Sequence, residues 1–157
     1  MTPSELKKLL SEAEQDPKRL AAAVSGVPET ILRSKPAPGK WCIQEIVGHL
    51  ADSEIVFAFN FRQLLADKEP KLASIDQDAW AEHLGYMEAS IPELVAQFGL
   101  ERHHNLRLLR RVQADDLNKS GFHPERNKQV TLEEIIRYWA GHVPNHLAQI
   151  ERLKSLK

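Results

Sequence analysis

The chain has 157 residues, a formal net charge of −1 and a single cysteine. A length of this order suits one domain with a proper core, and residues 1–157 are read as a single domain. The absence of a basic excess speaks against a nucleic-acid partner, and one cysteine excludes an internal disulfide framework.

The opening segment MTPSELKKLLSEAEQ is charged and amphipathic and lacks the apolar core of a signal peptide. No apolar run approaches the length of a membrane span. The expectation is a cytoplasmic protein acting on a small molecule, with no nucleic-acid or membrane partner.

Helix starts are well marked. Thr2-Pro3-Ser4-Glu5 supplies an N-cap, a proline at the first helical position and a glutamate at the third. Ser90-Ile91-Pro92-Glu93 and Thr131-Leu132-Glu133-Glu134 carry the same capping logic. Four main helices are expected over 3–25 (bent at Asp16-Pro17), 42–67, 90–112 and 131–155. The first ends at Ser25-Gly26, and KPAPGK (35–40) leads into the second, with Cys42 at its N-cap. The linkers 68–89 and 113–130 are long, with a short helical turn expected from Asp76 to His83. Strand signals are weak, with no Asn-Gly or Asp-Gly hairpin. The fold class is therefore all-α, a four-helix bundle with long crossover connections.

Polar residues interrupt the faces that should be buried. In the last helix Leu132, Ile135, Ile136, Trp139, Val143, Leu147, Ile150 and Leu153 form one apolar stripe, and His142 and His146 fall inside it. His49 sits at the edge of the second helix's stripe of Ile43, Ile46, Val47, Leu50, Phe57, Phe61 and Leu64. Arg102 and Asn105 interrupt the third helix's face of Leu94, Phe98, Leu106 and Leu109. Pro144 stands between the paired histidines, but the stripe keeps its helical period through it. The expected helix is bent there and continuous.

Two imidazoles one turn apart with a third from another helix can hold a metal and leave a position open, as catalytic zinc sites do. Such an ion activates water or holds a thiolate. The competing reading is a set of core histidines hydrogen-bonded to their neighbours. Val143 stands where the HExxH metalloprotease motif has its glutamate, so any general base lies elsewhere. Asp52, one turn past His49, is a candidate base or a partner that orients an imidazole; Glu54 is similar. Arg102 clamps an anionic substrate group or pairs with a buried carboxylate. Asn105 orients a ligand or satisfies a carbonyl. Cys42 lies about 10 Å along the helix from His49 at 1.5 Å per residue, too far to share an ion. His83, His103, His104 and His123 are read as non-ligands.

GKWCIQEIVGHLADSE (39–54), ERHHNLRLL (101–109) and HVPNHLAQI (142–150) together resemble the DinB/YfiT-like family of metalloenzymes. The resemblance implies a bundle with up-down-down-up connectivity, often a homodimer, with a divalent metal on three histidines. Carried over, these are His49, His142 and His146, and zinc or nickel is the expected ion. Family members commonly carry an aspartate in the last motif, as in HDxNH, where this chain has HVPNH. Relatives include thiol-dependent S-transferases that use low-molecular-weight thiols and metal-dependent hydrolases. The implied function is a metal-dependent S-transferase or related hydrolase, with a non-catalytic metal- or ligand-binding stress-response protein as the alternative. Ile55 and Phe59 lie off the second helix's main stripe. They either face a second copy of the chain or contact the 68–89 linker.

Overall fold

A computed structural model describes residues 1–156. Helices α1 (Pro3–Ala13) and α2 (Asp16–Val24) form one broken first arm, and α3 (Glu29–Leu32) is a single turn beyond it. The long helices α4 (Ile43–Ala66), α6 (Ile91–Leu109) and α7 (Leu132–Ser155) complete the bundle, with α5 (Gln77–His83) in the first crossover. The expected break at Asp16-Pro17 is present, because Pro17 lacks the N–H that would continue α1. The capping boxes at Thr2, Ser90 and Thr131 all form. At the start of α4 the Glu45 carboxylate accepts the Cys42 backbone N–H at 2.8 Å and the Lys35 ammonium at 2.7 Å.

Cross-helix pairs set the directions. Asp52 meets Gln97 and Glu54 meets Arg102, so α4 and α6 run parallel. His49 meets His142 and Phe61 meets Trp139, so α7 runs against α4. Asp16 meets Arg102 and Glu14 meets Arg110, so the first arm runs against α6. The connectivity is up-down-down-up, as expected. Parallel α4 and α6 cannot be joined by a short turn, which is why residues 67–90 form a crossover.

The second long linker differs from expectation. After a 3₁₀ turn (Asp115–Asn118) it folds into an antiparallel hairpin of β1 (Ser120–His123) and β2 (Lys128–Thr131), with Phe122 opposite Gln129. Its turn uses Asn127 at φ 47° instead of the Asn-Gly pair that signals most tight hairpins. Its inward positions are Gly121 and His123 on β1 and Val130 on β2, so no run of alternating apolar residues marked it. The hairpin clamps the crossover: Phe122 donates to the Pro70 carbonyl at 3.1 Å and Leu72 donates to the Phe122 carbonyl at 2.9 Å. A Cβ on Gly121 would lie 2.8 Å from Pro70 Cβ, so only glycine permits this approach.

The core has two apolar halves. One gathers Leu6, Leu10, Phe61, Leu109, Ile136 and Trp139; the other gathers Leu20, Ile46, Leu50, Leu94, Phe98 and Val143. Between them lies a buried charge layer. Arg102, 0 % exposed, donates to Asp16 at 3.0 Å and to Glu54 at 2.7 Å. Asn105 donates to Glu54 at 2.9 Å, and the Trp139 indole donates to both its carboxylate oxygens at 2.9 and 3.0 Å. The guanidinium lies 4.2 Å from the Trp139 ring and 5.0 Å from the Phe98 ring, within cation–π range. Burial pushes both carboxyls up, Asp16 to about 6, while Arg102 opposes this at each and the Asn105 and Trp139 donors oppose it at Glu54.

Ile55 and Phe59 are 47 % and 50 % exposed, so the 68–89 segment does not cover them.

Removing one partner of a buried ion pair leaves the other uncompensated, so Arg102→Met is expected to cost about 3–5 kcal/mol in denaturant unfolding. Asp16→Asn is expected to cost much less. Asp16 binds its proton more tightly folded (about 6) than at its usual value of 3.8. Its contribution is therefore complete below pH 3.8 and is lost as pH rises through 6. The stability difference between the natural chain and Asp16→Asn should shrink across that window.

Candidate metal centre

The antiparallel packing of α4 against α7 places His49 beside His142, and one helical turn places His146 beside both. His49 Nε2 and His142 Nε2 are 3.1 Å apart, and one ring nitrogen from each of the three lies within 4.8 Å of the others. The helix runs unbroken through Pro144, which is exposed. The proline therefore gives up one hydrogen bond on the solvent side and leaves the inner face in register.

Burial first, then mutual repulsion, holds His49 down to about 3 and His142 to about 2; burial also lowers His146. All three rings are neutral at physiological pH. His146 Nδ1 sits 2.9 Å from Gln149 Oε1, an acceptor, which leaves the lone pair on Nε2. The facing Nε2 atoms of His49 and His142 can both present lone pairs only if a cation lies between them. Three neutral imidazoles whose ring nitrogens converge within 4.8 Å of one another fit a divalent ion.

Of the weaker site candidates, none touches an imidazole. Asp52 accepts from Tyr86 Oη at 2.9 Å and from Gln97 Nε2 at 3.0 Å. It is spent on holding the crossover and α6 against α4, and gives no support to a base or orienting role. Ser53, a full turn after His49, is the residue that reaches that ring, at 3.4 Å. Arg102 and Asn105 belong to the charge layer, where Glu54 and Asp16 occupy them. With no exposure, Arg102 has no opening through which to clamp a substrate, so that alternative is corrected to the buried pair. Glu54 is likewise buried, its carboxyl oxygens accepting from Arg102, Asn105 and Trp139.

A cavity adjoins the histidine cluster. It has a volume of about 530 Å³ and lies between α4, α7 and the segments 73–78 and 123–126, without a residue from α6. His49, His142 and Ser53 open onto it, with Phe57 and Tyr138 as apolar wall. Asn60 fastens the 73–78 segment by bonding both the Ala73 carbonyl (3.1 Å) and its N–H (2.8 Å). His123 lines the same cavity. Helical spacing could not find it, because a hairpin and not a helix delivers it.

Gly48 lets Tyr86 approach next to His49: a Cβ there would sit 2.4 Å from Tyr86 Cγ. Gly48→Ala should destabilise the protein by about 1–3 kcal/mol through overpacking. Thermal melts of the double variant Gly48→Ala, Tyr86→Ala are expected to match those of Tyr86→Ala alone, since the second change removes the obstacle.

The family model described as DinB superfamily matches residues 12–150. The Bacillus subtilis (strain 168) protein named "Putative metal-dependent hydrolase YfiT" is 29 % identical over 147 residues, covering 93 % of this chain and 82 % of that protein. A Bacillus cereus (strain 03BB102) protein named "Putative metal-dependent hydrolase" is 27 % identical over 148 residues, covering 93 % and 83 %. The solved structure of YfiT from Bacillus subtilis, described as "a probable metal-dependent hydrolase with an unusual four-helix bundle topology", superposes with a TM-score of 0.92. It is 24 % identical and covers 99 % of this chain and 89 % of that one, a likeness of fold. With its family model spanning all four bundle arms, this chain belongs to the DinB superfamily.

Proposed function

We propose that the protein is a metal-dependent hydrolase of a small molecule, with His49, His142 and His146 holding one divalent ion. The observation that carries this is that His49 and His142 belong both to the neutral three-imidazole cluster and to the wall of the 530 Å³ cavity. An ion held there would supply Lewis acidity to a substrate and its attacking water. The chain's own part is to keep the rings neutral by burial and to fix the His146 lone pair through Gln149. Phe57 and Tyr138 remove water from one side of the substrate. Zinc and nickel both suit three neutral imidazoles. The relatives' names favour hydrolysis; a thiol S-transferase would use the same centre with a thiol in place of water, and a non-catalytic metal protein would share only the ion.

Elemental analysis of untagged protein should find about one equivalent of divalent metal, and His142→Ala should lose at least ~10-fold in metal affinity. Metal-loaded protein is then assayed on ester and amide panels, with and without low-molecular-weight thiols and electrophilic acceptors. Hydrolysis without thiol is expected. Turnover confined to thiol-containing reactions would replace hydrolysis by S-transfer, and metal without turnover in any arm would favour the non-catalytic role.

The exposed pair Ile55 and Phe59 supports a homodimer through α4. Sedimentation should give a dimer at micromolar concentration, reduced to a monomer by Phe59→Glu.

A further inference from the structure

A fourth imidazole faces the cavity. His123 ends β1 on the strand's inward side, is 9 % exposed and lines the space onto which His49 and His142 open. It is nevertheless outside the three-histidine cluster. Its two nitrogens are in different situations. Nδ1 accepts the backbone N–H of Arg126 at 3.4 Å. Among the described residues no group bonds Nε2, and that atom keeps exposed surface on a ring that lines the cavity. A neutral imidazole that accepts at Nδ1 carries its proton at Nε2. Burial, then the Arg126 charge, pushes His123 below the ordinary histidine range, which keeps it neutral.

This arrangement selects among roles. A metal ligand or a general base needs a free lone pair at Nε2, where this tautomer has its hydrogen. A donor needs only that hydrogen and a fixed ring. The ring is fixed because the hairpin is bonded to Pro70 and Leu72 and pressed on Pro70 at Gly121. The Arg126 guanidinium lies 5.3 Å from the Tyr138 ring, also on the cavity wall, and offers a second donor nearby. Asp76, Asp78 and Glu125 line the same space with Arg126 as the counter-charge, so a polyanion is disfavoured there more strongly than a single acceptor group.

We infer that His123 is a substrate-binding residue whose Nε2–H donates a hydrogen bond to a carbonyl or carboxylate oxygen of the small molecule in the cavity. This rests on the cavity being the substrate site, but not on the metal. The test therefore uses metal-free protein. Long-range ¹H–¹⁵N spectra should show His123 as the Nε2–H tautomer at neutral pH. Titration with sodium acetate at constant ionic strength should move the His123 Nε2 signal in a saturable way. His123→Ala should weaken acetate roughly five-fold, the size of one hydrogen bond. His123→Gln, which sets an amide N–H near the Nε2 position, should retain most of the affinity, and His123→Asn should not. Circular dichroism checks that each variant is folded. An Nδ1–H tautomer, no saturable acetate binding to the natural chain, or equal affinity in a folded His123→Ala overturns the inference. Failure of the metal reading is seen separately, as metal-free protein from the initial purification.

Discussion

Arg102 is a full positive charge with no exposed surface, set between the rings of Phe98 and Trp139. Water cannot solvate it, so the fold must, and it does so with one group from every arm of the bundle. Asp16 comes from α2, Glu54 from α4 and Trp139 from α7, while Asn105 joins from one turn further along α6. Apolar contacts tolerate sliding, because any methyl group will do for another. Directed hydrogen bonds to a buried charge do not, because a one-residue slip leaves an ion unpaired. The layer thus fixes the rotation and height of the helices against one another.

The histidine cluster depends on that registration. His49 lies five residues before Glu54 on α4, and His142 lies three after Trp139 on α7. Locking Glu54 to Trp139 therefore brings the two Nε2 atoms to 3.1 Å. The two polar groups also divide the electrostatics. Charges are concentrated in the Arg102 layer, where the guanidinium meets two carboxylates and only Arg102 Nε and Asn105 Oδ1 are left without a partner. The imidazoles are kept neutral by the same dry interior, with Arg102 itself among the charges that disfavour protonation of His142.

Much of this was legible in the sequence. Capping boxes and apolar stripes located α4, α6 and α7 closely, and the paired histidines could be followed through Pro144 because the stripe kept its period. The sequence also marked Arg102 and Asn105 as polar residues on a buried face, but spacing states only that such a residue needs partners. It does not say which ones, and only the packed structure shows that Glu54 and Asp16 supply them. Two features had no local signal at all. The strand β1 turns only a glycine and a histidine inward, and His123 gains its position through its neighbour Phe122, whose backbone bonds Pro70 and Leu72 some fifty residues away in the chain.

The parallel run of α4 and α6 carries a further consequence. An all-antiparallel bundle could join its helices with short turns and would expose its histidines on a bare surface. Here the chain must travel the full length of the molecule between those helices, and the returning strand of polypeptide becomes a wall of the cavity, tied to α4 by Asn60 and to the hairpin by Phe122. The histidine trio is thereby built on rigid helices and much of the cavity wall on connecting segments. Such a division allows selectivity to diverge by changes in length and composition of the connections, with the helical centre left untouched.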